Sequence, residues 1–279
     1  KSQLNMMKAG LLFADAVTTV SDEYGKEIAK KGRGEGLEAV VRKIKSRFHP
    51  IRNGIDTEIW SPTADKLIDE NYNADRLADK FDNKRALAKK HGFKADRKRP
   101  VVAMIARMTE QKGYDLVLEA LPEIGKMETD LIIMGEGSGS IPKDLEKKTK
   151  KLKNVHLYHG YDEALAHLTF AGADILLMPS LYEPCGLNQL YAMRYGTVPV
   201  AKATGGLKDS IEPYSAKKES GDGFLFKDHT AGAMLEALTS AVELFDDRDA
   251  WGTLQTHLLS HDFSWNSAAA RYVDEAYSS

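Results

Sequence analysis

Arg107 and Lys112 stand five residues apart in the run Arg107-Met108-Thr109-Glu110-Gln111-Lys112-Gly113. A guanidinium offers a planar fork of donors and an ammonium a compact charge. Held together across a turn, the pair suits a diphosphate. On residue type alone an exposed loop pair without a ligand is the plainer reading, since loop cations are common. Three other loops carry comparable material. Gly160-Tyr161-Asp162-Glu163 offers an aromatic that could stack on a base or pack on the core. Pro179-Ser180-Leu181-Tyr182-Glu183-Pro184-Cys185-Gly186-Leu187 carries a carboxylate, Glu183, beside Gly186. That carboxylate could hydrogen-bond sugar hydroxyls, steady positive charge in a glycosyl transition state, or cap the next helix. Thr204-Gly205-Gly206-Leu207 closes the set. Helices opening at Leu187 and Leu207 would aim backbone N–H groups and a positive dipole end at phosphate oxygens.

These loops need a scaffold that places them on one edge. Short apolar runs at 101–106, 130–134, 154–158, 174–178, 198–201 and 223–226 read as strands. Segments of helical spacing lie between them, at 114–125, 142–152, 162–171, 187–195 and 207–212. Alternation of this kind predicts an α/β fold with a doubly wound parallel sheet, Rossmann-like, covered on both faces. In such a sheet ligands bind beyond the carboxyl ends of the strands, where all four loops emerge. Ahead of this unit lie strand candidates at 16–20 and 48–52, with Ser21 as N-cap of a helix running to about Lys31. Residues 61–99 read as polar and mostly helical. Three helices are expected at the end, over 230–245, 249–260 and 264–277. Helical apolar spacing is already under way at Leu4, Met7 and Leu11, so the chain reads as entered midway through a domain.

Composition bounds the function. The 279 residues are 42% hydrophobic and 29% charged, with 39 basic against 41 acidic side chains, a net charge of -2. No global basic field exists to attract nucleic acid, so an anion must be held locally. The single cysteine, Cys185, excludes an internal disulfide and suits a reducing compartment. No apolar run is long enough for a membrane helix, and no signal-peptide pattern opens the chain. Gly135-Glu136-Gly137-Ser138-Gly139 has the look of a dinucleotide loop, with loose spacing. Asp247-Arg248-Asp249 sits between two late helices, where a helix cap explains it better than a metal. The lysines from 143 to 153 read as the solvated face of a helix. His156 and His159 fall on opposite faces of a strand and do not share a metal. No metal site is expected.

Taken together, the loops resemble bacterial glycogen synthases and plant or algal starch synthases. The similarity runs from about Lys8 to about Tyr272. It is carried by Gly36-Leu37-Glu38, by Asn53-Gly54-Ile55-Asp56 through Trp60-Ser61-Pro62, by the four loops above, by Tyr195-Gly196-Thr197 and by Asp262-Phe263-Ser264-Trp265. Glu183-Pro184-Cys185-Gly186-Leu187 joined to Gln189-Leu190 is its most specific element. The resemblance implies retaining transfer of glucose from ADP-glucose to the non-reducing 4-hydroxyl of an α-1,4-glucan, on the GT-B architecture of two facing Rossmann-like domains. Arg107 and Lys112 would bind the donor pyrophosphate and neutralise departing ADP, without a metal or other cofactor. Tyr161 would stack on adenine. Glu183 would contact the glucose, with Cys185, Gly186 and Leu187 nearby and the amides of Leu187 and Asn188 on phosphate. Asn53 would approach the sugar from the interdomain side, and Thr204 and Gly205 would line the cleft.

This chain would then hold residues 1–60 as the tail of an N-terminal, acceptor-side domain and 61–260 as the nucleotide-sugar-binding domain. Residues 261–279 would be a helix crossing back to the first domain. Asn188 stands where the family often has Thr or Ile. The Lys-x-Gly-Gly-Leu loop by which the family's first domain completes the donor site has no counterpart here; Thr204-Gly205-Gly206-Leu207 is like it in part only. Partners would be ADP-glucose, the glucan and the remainder of the first domain, with no nucleic acid and no membrane. The setting would be bacterial cytoplasm or plastid stroma. Two rival readings remain open, a nucleotide-binding paralogue without turnover and a related transferase or epimerase on the same fold.

Overall fold

The computed structural model describes residues 4–278. Lys1–Gln3, part of the stretch read as a chain entered midway, and Ser279 lie outside the described residues. The chain opens with α1 (Met6–Phe13), capped by Asn5, on which Met6, Met7 and Phe13 are exposed. A small unit follows. Strands β1 (Val17–Thr19) and β2 (Phe48–Pro50) pair in parallel, with α2 (Asp22–Ile28) and α3 (Glu38–Lys43) between them. Ser21 caps α2 as expected, its Oγ accepting from the Tyr24 N–H, but the helix stops at Ile28.

The main sheet has six parallel strands: β3 (Val101–Ile105), β4 (Asp130–Gly135), β5 (Val155–His159), β6 (Ile175–Met178), β7 (Val198–Lys202) and β8 (Phe224–Phe226). Their order across the sheet is β5-β4-β3-β6-β7-β8. The chain winds one way from β3 to β5, returns to the middle, and winds the other way from β6 to β8. The switch point therefore falls between β3 and β6, where a crevice opens beyond their carboxyl ends. The four inner strands, β4, β3, β6 and β7, are nearly continuous buried runs rich in Val, Ile, Leu and Met, as a sheet covered on both faces requires, while the edge strands β5 and β8 are only partly buried. Every predicted strand is present, with ends shifted by a residue or two.

The covering helices are α4 (Lys80–Lys90), α5 (Tyr114–Ile124), α6 (Ser140–Thr149), α7 (Glu163–Gly172), α8 (Asn188–Arg194), α9 (Gly205–Ser210), α10 (Ala231–Asp246) and α11 (Arg248–Leu259). On α6, Leu145 faces inward while the lysines around it are exposed. Asp247 caps α11, accepting from the Ala250 N–H, which accounts for the Asp-Arg-Asp run.

Residues 61–99 depart from the helical expectation. Only a short 3-10 stretch (Ala74–Asp79) and α4 are helical. Side chains take several of the backbone donors in the rest. Asp65 accepts from the Leu67 N–H, and Asn83 Oδ1 accepts from the N–H groups of Asp69 and Glu70. Such bonds offer the chain an alternative to helix. Buried polar groups then fasten this segment to the sheet. Asp65 Oδ2 joins His167 Nδ1 at 2.7 Å and the Tyr195 hydroxyl at 2.5 Å. Trp60 is sandwiched between the rings of His167 and Tyr191. The Lys80 ammonium donates to the carbonyls of Ala171 and Tyr195 and to Thr197 Oγ1, and burial lowers its pKa to about 7.

The end of the chain returns to its beginning. The Ile55 N–H donates to the Phe263 carbonyl at 2.7 Å, and a side chain at Gly54 would collide with Ser264 and Trp265. From α12 (Trp265–Arg271) Arg271 donates to the Pro50 carbonyl, and a π-helical turn (Tyr272–Tyr277) completes the tail.

Candidate functional site

Three loops are joined around the switch point because glycines let their backbones touch. The loop after β3 lies against the one after β4, with the Met108 N–H donating to the Glu136 carbonyl. A β-carbon at Gly135 would sit 1.8 Å from the Ala106 carbonyl, and one at Gly137 2.5 Å from Met108. Close packing therefore accounts for the glycine-rich run that looked like a dinucleotide loop. Residues Glu110–Lys112 make a single 3-10 turn ended by Gly113 at φ +78°, left-handed backbone that favours glycine. A β-carbon there would lie 2.1 Å from the Pro179 carbonyl. The Leu181 N–H donates to the Gln111 carbonyl. The loops after β3 and β6 are thus laced together.

Lacing them brings Lys112 onto Glu183. The ammonium donates to Glu183 Oε2 at 2.5 Å, and Ser180 Oγ donates to the same oxygen at 3.1 Å. Their side chains are 18% and 7% exposed, so the pair is largely desolvated but open on the lysine side. An ammonium has three donors; Glu183 takes one. Arg107 is exposed beside them, its fork reaching only Gln111 Oε1 at 3.5 Å. Among the described residues no carboxylate pairs with it. Arg107, Lys112, Ser180 and Asn188 share a hollow of about 230 Å³ with Ile105 and Ala106. Asn188 Nδ2 donates to the Ile105 carbonyl at 2.6 Å, tying the start of α8 to the end of β3. Leu187 supplies no side-chain cap to α8, so the helix's first N–H groups are available to another acceptor.

The loop carrying Glu183 is held by Gln189, which the sequence reading did not single out as a site residue. Its buried amide donates to the carbonyls of Cys185 and Gly186 and to Ser210 Oγ. Gly186 has φ +68°, and a β-carbon there would run into the Gln189 side chain. Cys185 is buried. Desolvation raises its thiol pKa, partly offset by the Asn53 N–H. A thiol held protonated in this way is not a nucleophile.

Other expected residues sit differently. Helix α9 begins at Gly205 rather than Leu207, and its amino end is already engaged. The Gly206 N–H donates to the Glu183 carbonyl. The Gly205 N–H and Thr204 Oγ1 both donate to the Glu27 carboxylate, at 3.1 Å to its Oε1. Glu27, from α2, thus sits at the helix end where the sequence reading placed phosphate. Tyr161 is 63% exposed on the loop after β5, two strands from the switch point, and does not line the hollow. Burial raises the pKa of Tyr191, and Tyr161 adds to that rise. Asn53 lines a different hollow, with Arg52, Asp209, Phe263 and Arg271; its link to the loop is the backbone contact to Cys185. The structure therefore brings together Arg107, Lys112, Glu183 and Asn188, sets Cys185, Gly186, Leu187, Thr204 and Gly205 behind or beside them, and leaves Tyr161 and Asn53 apart. His156 stacks on Phe93 and His159 reaches the Gly137 carbonyl, so they serve separate neighbours.

Comparison with known proteins agrees with this architecture. Residues 84–254, more than half of the chain, match the family described as glycosyl transferases group 1, and residues 1–43 match the starch synthase catalytic domain. Glycogen synthase 2 of Geobacter sulfurreducens is 42% identical over 97% of this chain and 56% of its own length. Glycogen synthase of Anaeromyxobacter sp. is 43% identical over 97% of this chain and 57% of its own. The chain spans a little over half the length of the curated relatives it matches. The catalytic domain of starch synthase IV from Arabidopsis thaliana, solved with ADP and acarbose, superposes with a TM-score of 0.93 at 34% identity, covering 99% of this chain and 58% of that one. Sucrose-phosphate synthase from Thermosynechococcus elongatus shares the fold, with a TM-score of 0.67 at 21% identity. The chain belongs to the group 1 glycosyl transferases and is a homologue of the glycogen synthases.

Proposed function

We propose that this chain is the donor-binding half of a starch or glycogen synthase, acting by retaining transfer of glucose from ADP-glucose to the non-reducing 4-hydroxyl of an α-1,4-glucan. The observation that carries the reading is the Lys112–Glu183 pair at the β3/β6 switch point beside Arg107, which pairs with no carboxylate among the described residues. When the bond from glucose to diphosphate breaks, negative charge gathers on the departing ADP. Arg107 and the two remaining Lys112 donors neutralise it, so the transfer needs no metal. Glu183, oriented by Lys112 and Ser180, faces the glucose. The first N–H groups of α8, at Leu187 and Asn188, reach a phosphate, while Gly186 lets the ligand come close. Tyr161 covers the adenine at the outer end of a nucleotide lying across β4 toward β5. Thr204 and Gly205 bound the cleft once Glu27 yields to an anion, and Asn53 meets the sugar from the side of the first domain.

ADP and acarbose in the Arabidopsis starch synthase support a nucleotide donor and a glucan-like acceptor for this relative. Residues 1–60 contribute to the acceptor side, completed by the rest of the first domain. Among the described residues no helix is long and apolar enough to cross a membrane, and the reading places the enzyme in bacterial cytosol or plastid stroma. The test is glucan elongation by the complete synthase with ADP-, UDP- and GDP-glucose, beside the same assay on residues 1–279. Preference for ADP-glucose by the complete enzyme, with little activity from the chain by itself, is expected. Preference for UDP-glucose, or robust elongation by the 279 residues, contradicts the reading.

A further inference from the structure

At the opposite edge of the sheet a second cluster has no part in the proposed reaction. Asp222 lies just before β8, at the amino end of that strand, whereas Glu183 lies beyond the carboxyl end of β6. His257 belongs to the last turn of α11 and His261 follows it by four residues, so both imidazoles rise from one side of the helix end. Their Nε2 atoms converge on a single atom, Asp222 Oδ1, at 3.1 Å from His257 and 2.7 Å from His261. We infer that Asp222, His257 and His261 form a binding site for a divalent zinc-type cation that fastens the end of α11 to the start of β8.

Spacing, ligand chemistry and support all bear on this. The three candidate ligand atoms lie within 4.8 Å of one another. A tetrahedral zinc with ligands at 2.0–2.2 Å holds its donor atoms about 3.3–3.6 Å apart. Measured from Asp222 Oδ1, His257 Nε2 lies a few tenths of an ångström and His261 Nε2 somewhat more inside that spacing, and the two Nε2 atoms, within 4.8 Å of each other, are in reach of it. Two imidazoles and one carboxylate suit zinc, cobalt or nickel, whereas calcium and magnesium prefer all-oxygen shells. The carboxylate is already braced. Asp222 is buried, and its other oxygen, Oδ2, accepts from the Glu212 N–H at 2.9 Å, which aims Oδ1 at the histidines. His261 is stacked on Phe263, fixing its ring plane. Such outer contacts orient ligands. His257 is exposed, so the cluster has an entrance and room for a water as fourth ligand. Phe263 carries the effect onward, because its carbonyl accepts from the Ile55 N–H where the chain's two ends join. The competing arrangement is two imidazole N–H groups donating to one carboxylate. It needs both rings protonated at Nε2, whereas metal binding needs both Nε2 lone pairs.

Chelator-treated chain titrated with Zn²⁺ against a chromophoric competitor should take up one equivalent at micromolar concentration. Co²⁺ in its place should give visible absorption bands of low-symmetry coordination. His257→Gln and His261→Gln, which keep a side-chain donor for Asp222, should each weaken binding at least tenfold, and zinc should raise the Tm of the wild-type chain but not of the double variant. Binding of equal strength in the double variant overturns the proposal. So does the absence of saturable uptake by the wild-type chain up to about 100 µM metal.

Discussion

Replacing Lys112 by Ala separates what the Lys112–Glu183 pair does for chemistry from what it does for the fold. In catalysis, a preorganised donor aimed at developing charge contributes about 3–4 kcal/mol. At 1.36 kcal/mol per decade this predicts a fall in turnover of at least roughly a hundredfold in the complete enzyme. For stability, removing one partner of a fully buried ion pair costs about 3–5 kcal/mol. Here the lysine side is 18% open and Ser180 stays on the carboxylate, so about 2 kcal/mol is the expectation. Glu183→Gln in the same chain removes the stranded charge. The double variant should therefore recover most of the lost stability in urea denaturation while its elongation rate stays low. Wild-type-like turnover in Lys112→Ala would remove the residue from the reaction, and full recovery of rate in the double variant would reduce its role to structural support.

Three further outcomes follow from particular contacts. Gly113→Ala combines a left-handed backbone with a 2.1 Å clash against Pro179; it should cost about 2–4 kcal/mol and loosen the two central loops, read as a lower Tm, and an unchanged Tm contradicts the lacing described above. Burial, and then the neighbouring His156, hold the His91 pKa down to about 4. The unfolded chain protonates this ring near 6.5, so the contribution is complete above pH 6.5 and is lost as the pH falls toward 4. With the ring partly open to solvent, about 1–2 kcal/mol is involved; His91→Gln should flatten urea-derived stability across that window, and an unchanged slope refutes the assignment. Tyr161→Ala should weaken ADP binding by about 1–3 kcal/mol, the worth of one base-stacking aromatic, in fluorescence or calorimetric titration; unaltered affinity means the exposed ring does not meet the base.

The sheet was legible because its strands are apolar runs separated by helical periodicity, and a parallel sheet leaves few other solutions. The β3 and β6 loops were legible as chemistry, since Arg107, Lys112 and Glu183 are residue types with narrow uses. Their junction was not, because it depends on backbone contacts such as Gly113 against Pro179 that no side-chain pattern encodes. Residues 61–73 read as helix for a related reason: Asp65 and Asn83 spend oxygens on backbone N–H groups, Asn83 from more than a turn away in sequence, and the other Asp65 oxygen is held by His167 and Tyr195 far along the chain. Glu27 reaches α9 across 178 residues, beyond any local pattern. Gln189 was visible beside the Glu-Pro-Cys-Gly-Leu element, yet its clamp on Cys185, Gly186 and Ser210 appears only once the loop has closed. His257 and His261 carried a readable signal in their four-residue spacing. Asp222, 35 residues earlier, is what turns that spacing into a cluster.

The central claim, that loops at the switch point grip a nucleoside diphosphate through Arg107 and Lys112, is tested most directly by calorimetric titration of ADP and UDP into residues 1–279. Saturable ADP binding, tighter than UDP and weakened at least tenfold by Arg107→Ala and by Lys112→Ala in chains that remain folded, is the predicted result. ADP affinity indifferent to both substitutions would contradict the account.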